Sequence, residues 1–246
     1  MIGIFDSGIG GLSALTPLTR LLPRADILYY ADTAALPLGL KSDSEILDRL
    51  LLALRFFEEK KVSGVLLACG TASSLFLEKC KEKFSFPIID IISPTAMAAK
   101  SLPKEARLLL LATPAAVRTG CFSAAVARRE QALFSIPCPR LVRLAEKGNA
   151  PPSLVRRAIG IAPLMHPHAV ILGCTHFSHL KAELSALMPG TRLIDAAHCA
   201  AAAAASRFPN EGNATCRFVV TGDPDRFAKR ASRILDRPVT AEKLNM

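Results

Sequence analysis

Two cysteines occupy matching places in the segments Val65-Leu-Leu-Ala-Cys69-Gly-Thr-Ala-Ser73 and Val170-Ile-Leu-Gly-Cys174-Thr-His176. Each ends an aliphatic run of the kind that forms a buried parallel strand, and each is followed at once by a helical pattern. Open α/β sheets take their ligands at the carboxyl ends of such strands. A thiol, with an ordinary pKa of about 8.5, is close enough to neutrality to act as base or acid, and a helix N-terminus or a cation brings the thiolate closer. Two thiols presented by two halves of one chain suit a reaction in which a proton leaves one face of a small substrate and returns to the other.

Further polar residues gather at the same kind of place. The first hydrophobic run ends in Phe5-Asp6-Ser7-Gly8-Ile9-Gly10-Gly11, which sets a carboxylate and a hydroxyl beside glycines that let backbone approach a ligand. The glycine spacing fits neither a dinucleotide fingerprint nor a P-loop, so a small polar substrate is expected there rather than a nucleotide. Asp6 has a plain structural alternative as a helix cap, and His176 as a helix-start histidine bonded to backbone. Glu146 has another, as a surface residue before the turn Lys147-Gly148-Asn149. The cluster His166, His168, Cys174, His176 and His179 follows no zinc-ligand spacing, and no metal site is expected.

The elements that must carry these groups alternate. Strands are predicted over Ile2–Phe5, Ile27–Tyr30, Val65–Ala68 and Pro87–Ile92. Helices are predicted over Gly10–Leu22, Ser42–Lys60 and Ala72–Phe84, the second with Ile46, Leu50, Leu54 and Phe57 on one face and the third with Leu75, Phe76 and Cys80 inward. The alternation implies βαβ units and a mainly parallel sheet. After Ser93-Pro94 the pattern restarts: Arg107–Leu111 mirrors the first strand and Val170–Leu172 mirrors Val65–Leu67. The expected fold is therefore α/β, with two pseudo-symmetric domains, mainly parallel sheets and a site in the cleft between them. Residues 1–94 with 208–246 would form the first domain and 95–207 the second, a late strand at Arg217–Val220 packing back on the first half. The alanine run Ala200–Ala205, preceded by Asp195 in a capping position, is expected to be a helix packed closely on a sheet.

Composition narrows the function classes. The chain has 246 residues, half of them hydrophobic, so it can bury a substantial core. Without tryptophan it lacks the aromatic platform of a single-strand nucleic-acid binder. The net charge of +10 is read as solvated helix faces (Arg128-Arg129, Arg156-Arg157, and Arg226, Lys229, Arg230 and Arg233), since no nucleic-acid motif accompanies it. Seven cysteines without paired spacing suggest neither a disulfide framework nor structural zinc, and Cys80, Cys121, Cys138, Cys199 and Cys216 read as buried or incidental thiols. No apolar stretch nears the roughly 18 residues of a bilayer span, and a strand beginning at Ile2 leaves no signal peptide, so a cytoplasmic protein is expected.

In sequence order, Gly3-Ile-Phe-Asp-Ser-Gly-Ile-Gly-Gly11, Pro37-Leu-Gly39, Ala68-Cys-Gly-Thr-Ala-Ser73, Cys138-Pro139 with Glu146, and Leu172-Gly-Cys-Thr-His176 resemble the glutamate racemases of the aspartate/glutamate racemase superfamily. The resemblance runs to Leu193-Ile-Asp195. It implies a cofactor-independent, two-base racemase acting on an amino acid, with Cys69 and Cys174 as the bases, Asp6 supporting the first, and His176 and Glu146 the second. It also implies substrate contacts from Asp6, Ser7, Pro37, Leu38, Gly39, Gly70, Thr71, Thr175 and His176, with D-glutamate made for peptidoglycan. Homodimers are implied as well, in an arrangement nothing in the chain selects.

Three positions depart from the family pattern. Gly70 replaces an asparagine, Leu38 a tyrosine and Ala116 a threonine, and each loses a polar group expected to face the substrate. Losing a hydrogen bond to a charged group costs roughly 1.5–3 kcal/mol, so the thiols predict the reaction better than the substrate. On this reading, restoring Asn at 70 and Tyr at 38 should improve glutamate turnover. The alternatives are a racemase of another amino acid such as aspartate, or a non-catalytic relative that binds a ligand or partner protein.

Overall fold

The computed structural model describes residues 1–79, 84, 86–126, 133–148 and 150–244. The expectations for Cys80, for the Arg128-Arg129 face and for Asn149 of the turn fall outside them. In chain order the elements are β1 (Ile2–Asp6), α1 (Leu12–Leu21), β2 (Ile27–Ala31), α2 (Asp43–Glu59), β3 (Gly64–Leu67), α3 (Gly70–Lys79), β4 (Ile88–Asp90) and α4 (Ile92–Lys100). There follow β5 (Leu108–Ala112), α5 (Pro114–Arg118), α6 (Cys121–Val126), β6 (Leu133–Pro137), α7 (Pro139–Lys147), α8 (Pro152–Ile159), β7 (Ala169–Leu172), α9 (Thr175–Ser178), α10 (Lys181–Leu187), β8 (Arg192–Asp195) and α11 (Ala196–Ala205). The chain closes with β9 (Cys216–Val220), α12 (Pro224–Leu235) and β10 (Glu242–Lys243).

Every recorded strand pair is parallel, and the strands form two sheets, β10-β9-β2-β1-β3-β4 and β6-β5-β7-β8. The order β2-β1-β3-β4 is repeated as β6-β5-β7-β8. β5 begins at 108 against 2 for β1, and β7 at 169 against 64 for β3, so the two halves keep nearly one offset. β9 pairs with β2, as expected of a tail returning to the first half.

Side-chain alternation explains why these runs are so apolar. Ile2 and Ile4 face one core and Phe5 another; Leu108 and Leu110 share the first core, while Leu109 and Leu111 turn to a third. A strand covered on both faces must be apolar at every position. The largest core lies between the sheets and draws on α1, α4 and α11. Here the alanine run differs from expectation: α11, capped by Asp195, packs chiefly on helices α1 and α4 rather than on a sheet. Side chains this small let helices approach closely, which joins the two halves.

Some boundaries also move, among them two beside the strand ends of the first sheet. The strand expected to reach Ile92 stops at Asp90, because the Asp90 carboxylate accepts the N–H groups of Ile92 and Ser93 (both 2.7 Å) and starts α4, which contains Ser93-Pro94 in its first turn. The helix expected from Ala72 begins at Gly70, directly after Cys69. α2 matches its prediction, and Ser42 with Glu45 forms its capping box.

Candidate active site

The carboxyl ends of β1 and β3 in the first sheet and of β5 and β7 in the second bring the sequence candidates together. Cys69 and Cys174, one from each sheet, line the same cavity with Ser7, Pro37, Leu38, Gly39, Thr71, Thr175 and His176. Leu36, Thr113, Pro114, Pro139 and Val142 complete much of the wall. The cavity measures about 20 Å³, room for little more than one water molecule. Leu36-Pro37, joined by a cis peptide bond, begins the loop that covers it.

Two predicted positions stand behind this wall. Ala116 is buried in α5, where its N–H donates to the Thr113 hydroxyl that caps the helix. Gly70 meets the opposite wall: a Cβ there would lie 2.3 Å from the Gly173 carbonyl oxygen. An asparagine at 70 cannot be placed in this arrangement, so the expected gain from restoring it does not follow from the geometry. Glycine at 70 is what allows the backbones beside the two cysteines to touch.

On the first wall, Cys69 Sγ lies 3.8 Å from Ser7 Oγ and takes up the Ala72 N–H in the first turn of α3. The expectation of a thiol poised near neutrality is reversed here. Burial, followed by the charge of Asp6, pushes Cys69 up to about 12, against the smaller help of the helix amide and Ser7. The helix start is present, but desolvation outweighs it.

Asp6 is fully buried and bridges the walls. It accepts the Gly8 N–H at 2.8 Å and the Thr175 hydroxyl at 2.9 Å. Its recorded hydrogen bonds therefore hold the β1 loop against the second wall rather than reaching Cys69. It is not the side-chain cap of α1, whose N-cap is Gly11. Burial raises its carboxyl pKa above the usual value, despite opposition from His176, Gly8, Thr175 and Gly11.

On the second wall, Cys174 Sγ lies 3.8 Å from His176 Nδ1, and His176 Nε2 lies 2.7 Å from Glu146 Oε1. Burial alone would depress His176, but the Cys174 contact, the Glu146 bond and the Asp6 charge together hold it well above its ordinary value. Glu146 is not the surface residue its alternative supposed. It accepts from His176, from Arg230 Nη1 and from the Ile9 backbone, and these outweigh burial to keep its carboxyl below the usual range. The remaining histidines disperse: His168 Nδ1 accepts the Arg107 N–H, and His179 Nε2 donates to the Ile9 carbonyl. Among the described residues no group of three or more His, Cys, Asp or Glu is placed to hold a metal ion, and no helix is long and apolar enough to cross a membrane.

Sequence reasoning missed three contributors. Arg230, read as part of a solvated face, reaches Glu146. Tyr29, in the middle of β2, donates its hydroxyl to the Gly8 carbonyl at 2.8 Å and so supports the β1 loop. Thr113 meets Thr71 across the cleft, hydroxyl to hydroxyl at 2.8 Å. Arg230 and Tyr29 carry no local signal, whereas Thr113 follows a five-residue aliphatic strand and precedes Pro114, the pattern of a strand end and helix cap.

Comparison with known proteins gives consistent matches. The profile of the Asp/Glu/Hydantoin racemase family matches residues 18–204. A glutamate racemase of Microcystis aeruginosa is 35% identical, across 99% of this chain and 90% of its own. The crystal structure of glutamate racemase from Thermus thermophilus, in complex with β-chloro-D-alanine, superposes with a TM-score of 0.89 at 32% identity, covering 100% of this chain and 96% of that one. That of glutamate racemase from Francisella tularensis, in complex with D-glutamate, gives 0.87 at 25% identity, covering 100% and 97%.

Proposed function

Since the chain belongs to the Asp/Glu/Hydantoin racemase family, and within it to the glutamate racemases, an isomerase class, we propose that it interconverts L- and D-glutamate through Cys69 and Cys174. The observation that carries the two-thiol reading is that these two cysteines, from different sheets, line one cavity.

The two thiols differ in a way that suits opposite roles. Cys69 is held protonated by burial and by Asp6, the form that donates a proton. Cys174 Sγ lies 3.8 Å from Nδ1 of His176, whose raised pKa makes it a cationic neighbour for the sulfur that removes one. In one direction the Cys174 thiolate takes the α-proton and becomes a thiol. The Cys69 thiol gives its proton to the opposite face of the α-carbon and becomes a thiolate. The reverse direction exchanges these roles, with the substrate ammonium as a cation able to favour the thiolate at Cys69. Negative charge developing at the α-carbon and carboxylate is met by donors from Ser7, Thr71 and the amides that begin α3. No cofactor enters this scheme.

Asp6 ties the walls together through Thr175, and Pro37, Leu38 and Gly39 close the cavity above the substrate. A cavity of about 20 Å³ admits no amino acid, so the walls separate for entry and release. We place the domain boundaries at 1–94 with 208–246 and at 95–207, the break falling in the first turn of α4; the repeated strand order supports this division. Cytoplasmic supply of D-glutamate to peptidoglycan is assigned on family membership alone. Chiral chromatography of L-glutamate incubated with the purified enzyme tests the substrate. Approach to equal amounts of the two enantiomers is expected; an unchanged L-isomer, with aspartate racemised instead, would reassign it.

A further inference from the structure

Arg230 lies far in sequence from every motif of the site, yet it makes an ion pair with one of its residues. It is carried by α12, which is anchored to the first sheet: Phe227 of α12 packs in an aromatic cluster with Tyr29 of β2 and Phe218 of β9, ring centroids 5.6 to 5.9 Å apart. Its guanidinium crosses to the second wall and meets Glu146 Oε2, while Glu146 Oε1 holds His176 Nε2 at 2.7 Å and His176 Nδ1 faces Cys174 Sγ. Glu146 is thus gripped from both walls, by Arg230 and the Ile9 amide on one side and by His176 on the other. Separating the walls to admit substrate must break the grip from the first wall.

We propose that Arg230 is a positioning residue which, by docking on Glu146 as the walls close, fixes the carboxylate that orients His176 against the Cys174 thiol. Closure and assembly of the second proton-transfer group then become one event. This inference rests on the two-thiol reading above. A carboxylate clamped at Oε2 presents Oε1 in one direction, so His176 Nε2–H is committed to it and Nδ1 is left for the sulfur.

Other charged groups flank Glu146 without a recorded bond to it. They are Arg143 and Lys147 on its own helix, Arg226 and Arg233 on α12, and His179 and Glu183 on the side of α9 and α10. Asp223 caps α12 through the Arg226 N–H. Among these described residues, Arg230 is the cation placed to act.

The test compares the unaltered enzyme with Arg230→Gln, Arg230→Lys and Lys229→Gln, the last removing an exposed charge one residue away. For each, kcat and KM for glutamate are measured across pH, with thermal melting as a check on folding. Arg230→Gln should lower kcat roughly 10- to 100-fold, the loss of a charged hydrogen bond, with a smaller change in KM. It should also move the acid limb of kcat to higher pH, since a Glu146 without its cation takes up a proton sooner as pH falls. Arg230→Lys should restore much of both, and Lys229→Gln should match the unaltered enzyme.

A double variant removes the remaining ambiguity. If Arg230 acts through Glu146, adding Arg230→Gln to Glu146→Gln costs little beyond Glu146→Gln alone. Full multiplication of the two losses, or an Arg230→Gln profile superimposable on that of Lys229→Gln, overturns the inference while leaving the racemase intact. Absence of turnover by the unaltered enzyme overturns the racemase reading, and this inference with it.

Discussion

Replacing Gly70 by alanine should separate stability from activity, because the added methyl meets two opposing effects in different states of the molecule. A Cβ at 70 lies 2.3 Å from the Gly173 oxygen and 3.4 Å from its carbon. Comfortable carbon contacts begin at about 3.5 Å, so one wall must retreat by about 1 Å. The obstacle is backbone at the end of β7, which no rotamer change can relieve. Overpacking against such a partner costs about 1–3 kcal/mol, and that cost falls only on the closed arrangement. The helical gain of alanine over glycine, at most about 1 kcal/mol and less in a first turn, is present whether the walls are open or closed. The net prediction is a melting temperature unchanged or slightly raised, with kcat/KM lowered roughly 5- to 150-fold as the closed population falls. The assay is glutamate racemisation with parallel thermal melting, together with the rates at which a thiol reagent modifies Cys69 and Cys174, which should rise. Unchanged kcat/KM with unchanged thiol rates would refute the claim that this backbone contact governs closure. A collapse in melting temperature that accounts for the lost activity would refute it equally.

Other perturbations follow from the same geometry. Burial raises Cys69 to about 12, well above the ordinary thiol value of about 8.5, so the folded chain holds that proton where the unfolded chain has lost it. Its contribution to stability is therefore complete below about pH 8.5 and declines as pH rises toward 12, and Cys69→Ala should flatten the alkaline fall in melting temperature. A slope unchanged by the substitution would count against this. Asp32 is buried, ion-paired with Arg49 and bonded to the Thr221 hydroxyl at 2.7 Å, tying α2 and β9 to the end of β2. Asp32→Ala leaves the Arg49 charge without its partner and should cost about 3–5 kcal/mol in denaturant unfolding; a loss under 1 kcal/mol would contradict the assignment. Thr71→Val removes the hydroxyl contact across the cleft to Thr113 and a donor that the proposed mechanism uses. It should lower kcat/KM about tenfold with little change in melting temperature, and equal activity would exclude both roles.

The parts of the molecule legible in the sequence were those fixed by local chemistry. Apolar runs gave the strand cores, Ser42 with Glu45 gave the start of α2, and the cysteines at two strand ends gave one residue on each wall. Repetition of the βαβ pattern after position 94 was enough to expect two similar halves. What stayed hidden depends on which elements meet after folding. Arg230 and Arg226 share one helix face in the sequence, yet Arg230 pairs with Glu146 while Arg226 is exposed. The resemblance makes Asp6 a support of Cys69, whereas its recorded side-chain partner is Thr175, 169 positions away. The direction of the Cys69 shift was also beyond local reading. A helix start predicts a lowered thiol pKa, and only the packing of the opposite wall shows that desolvation prevails. In the sequence Gly70 looks like a lost polar contact, because its partner, the Gly173 carbonyl, belongs to the other sheet.

The proposal that two thiols on opposite walls work on one α-carbon calls for proton NMR of L- and D-glutamate in D2O under reducing conditions, with the unaltered enzyme, Cys69→Ala and Cys174→Ala. Loss of the α-proton signal from either enantiomer is expected with the unaltered enzyme, and no racemisation by either variant although both remain folded. Racemisation persisting at a comparable rate in a folded variant lacking one cysteine would contradict it.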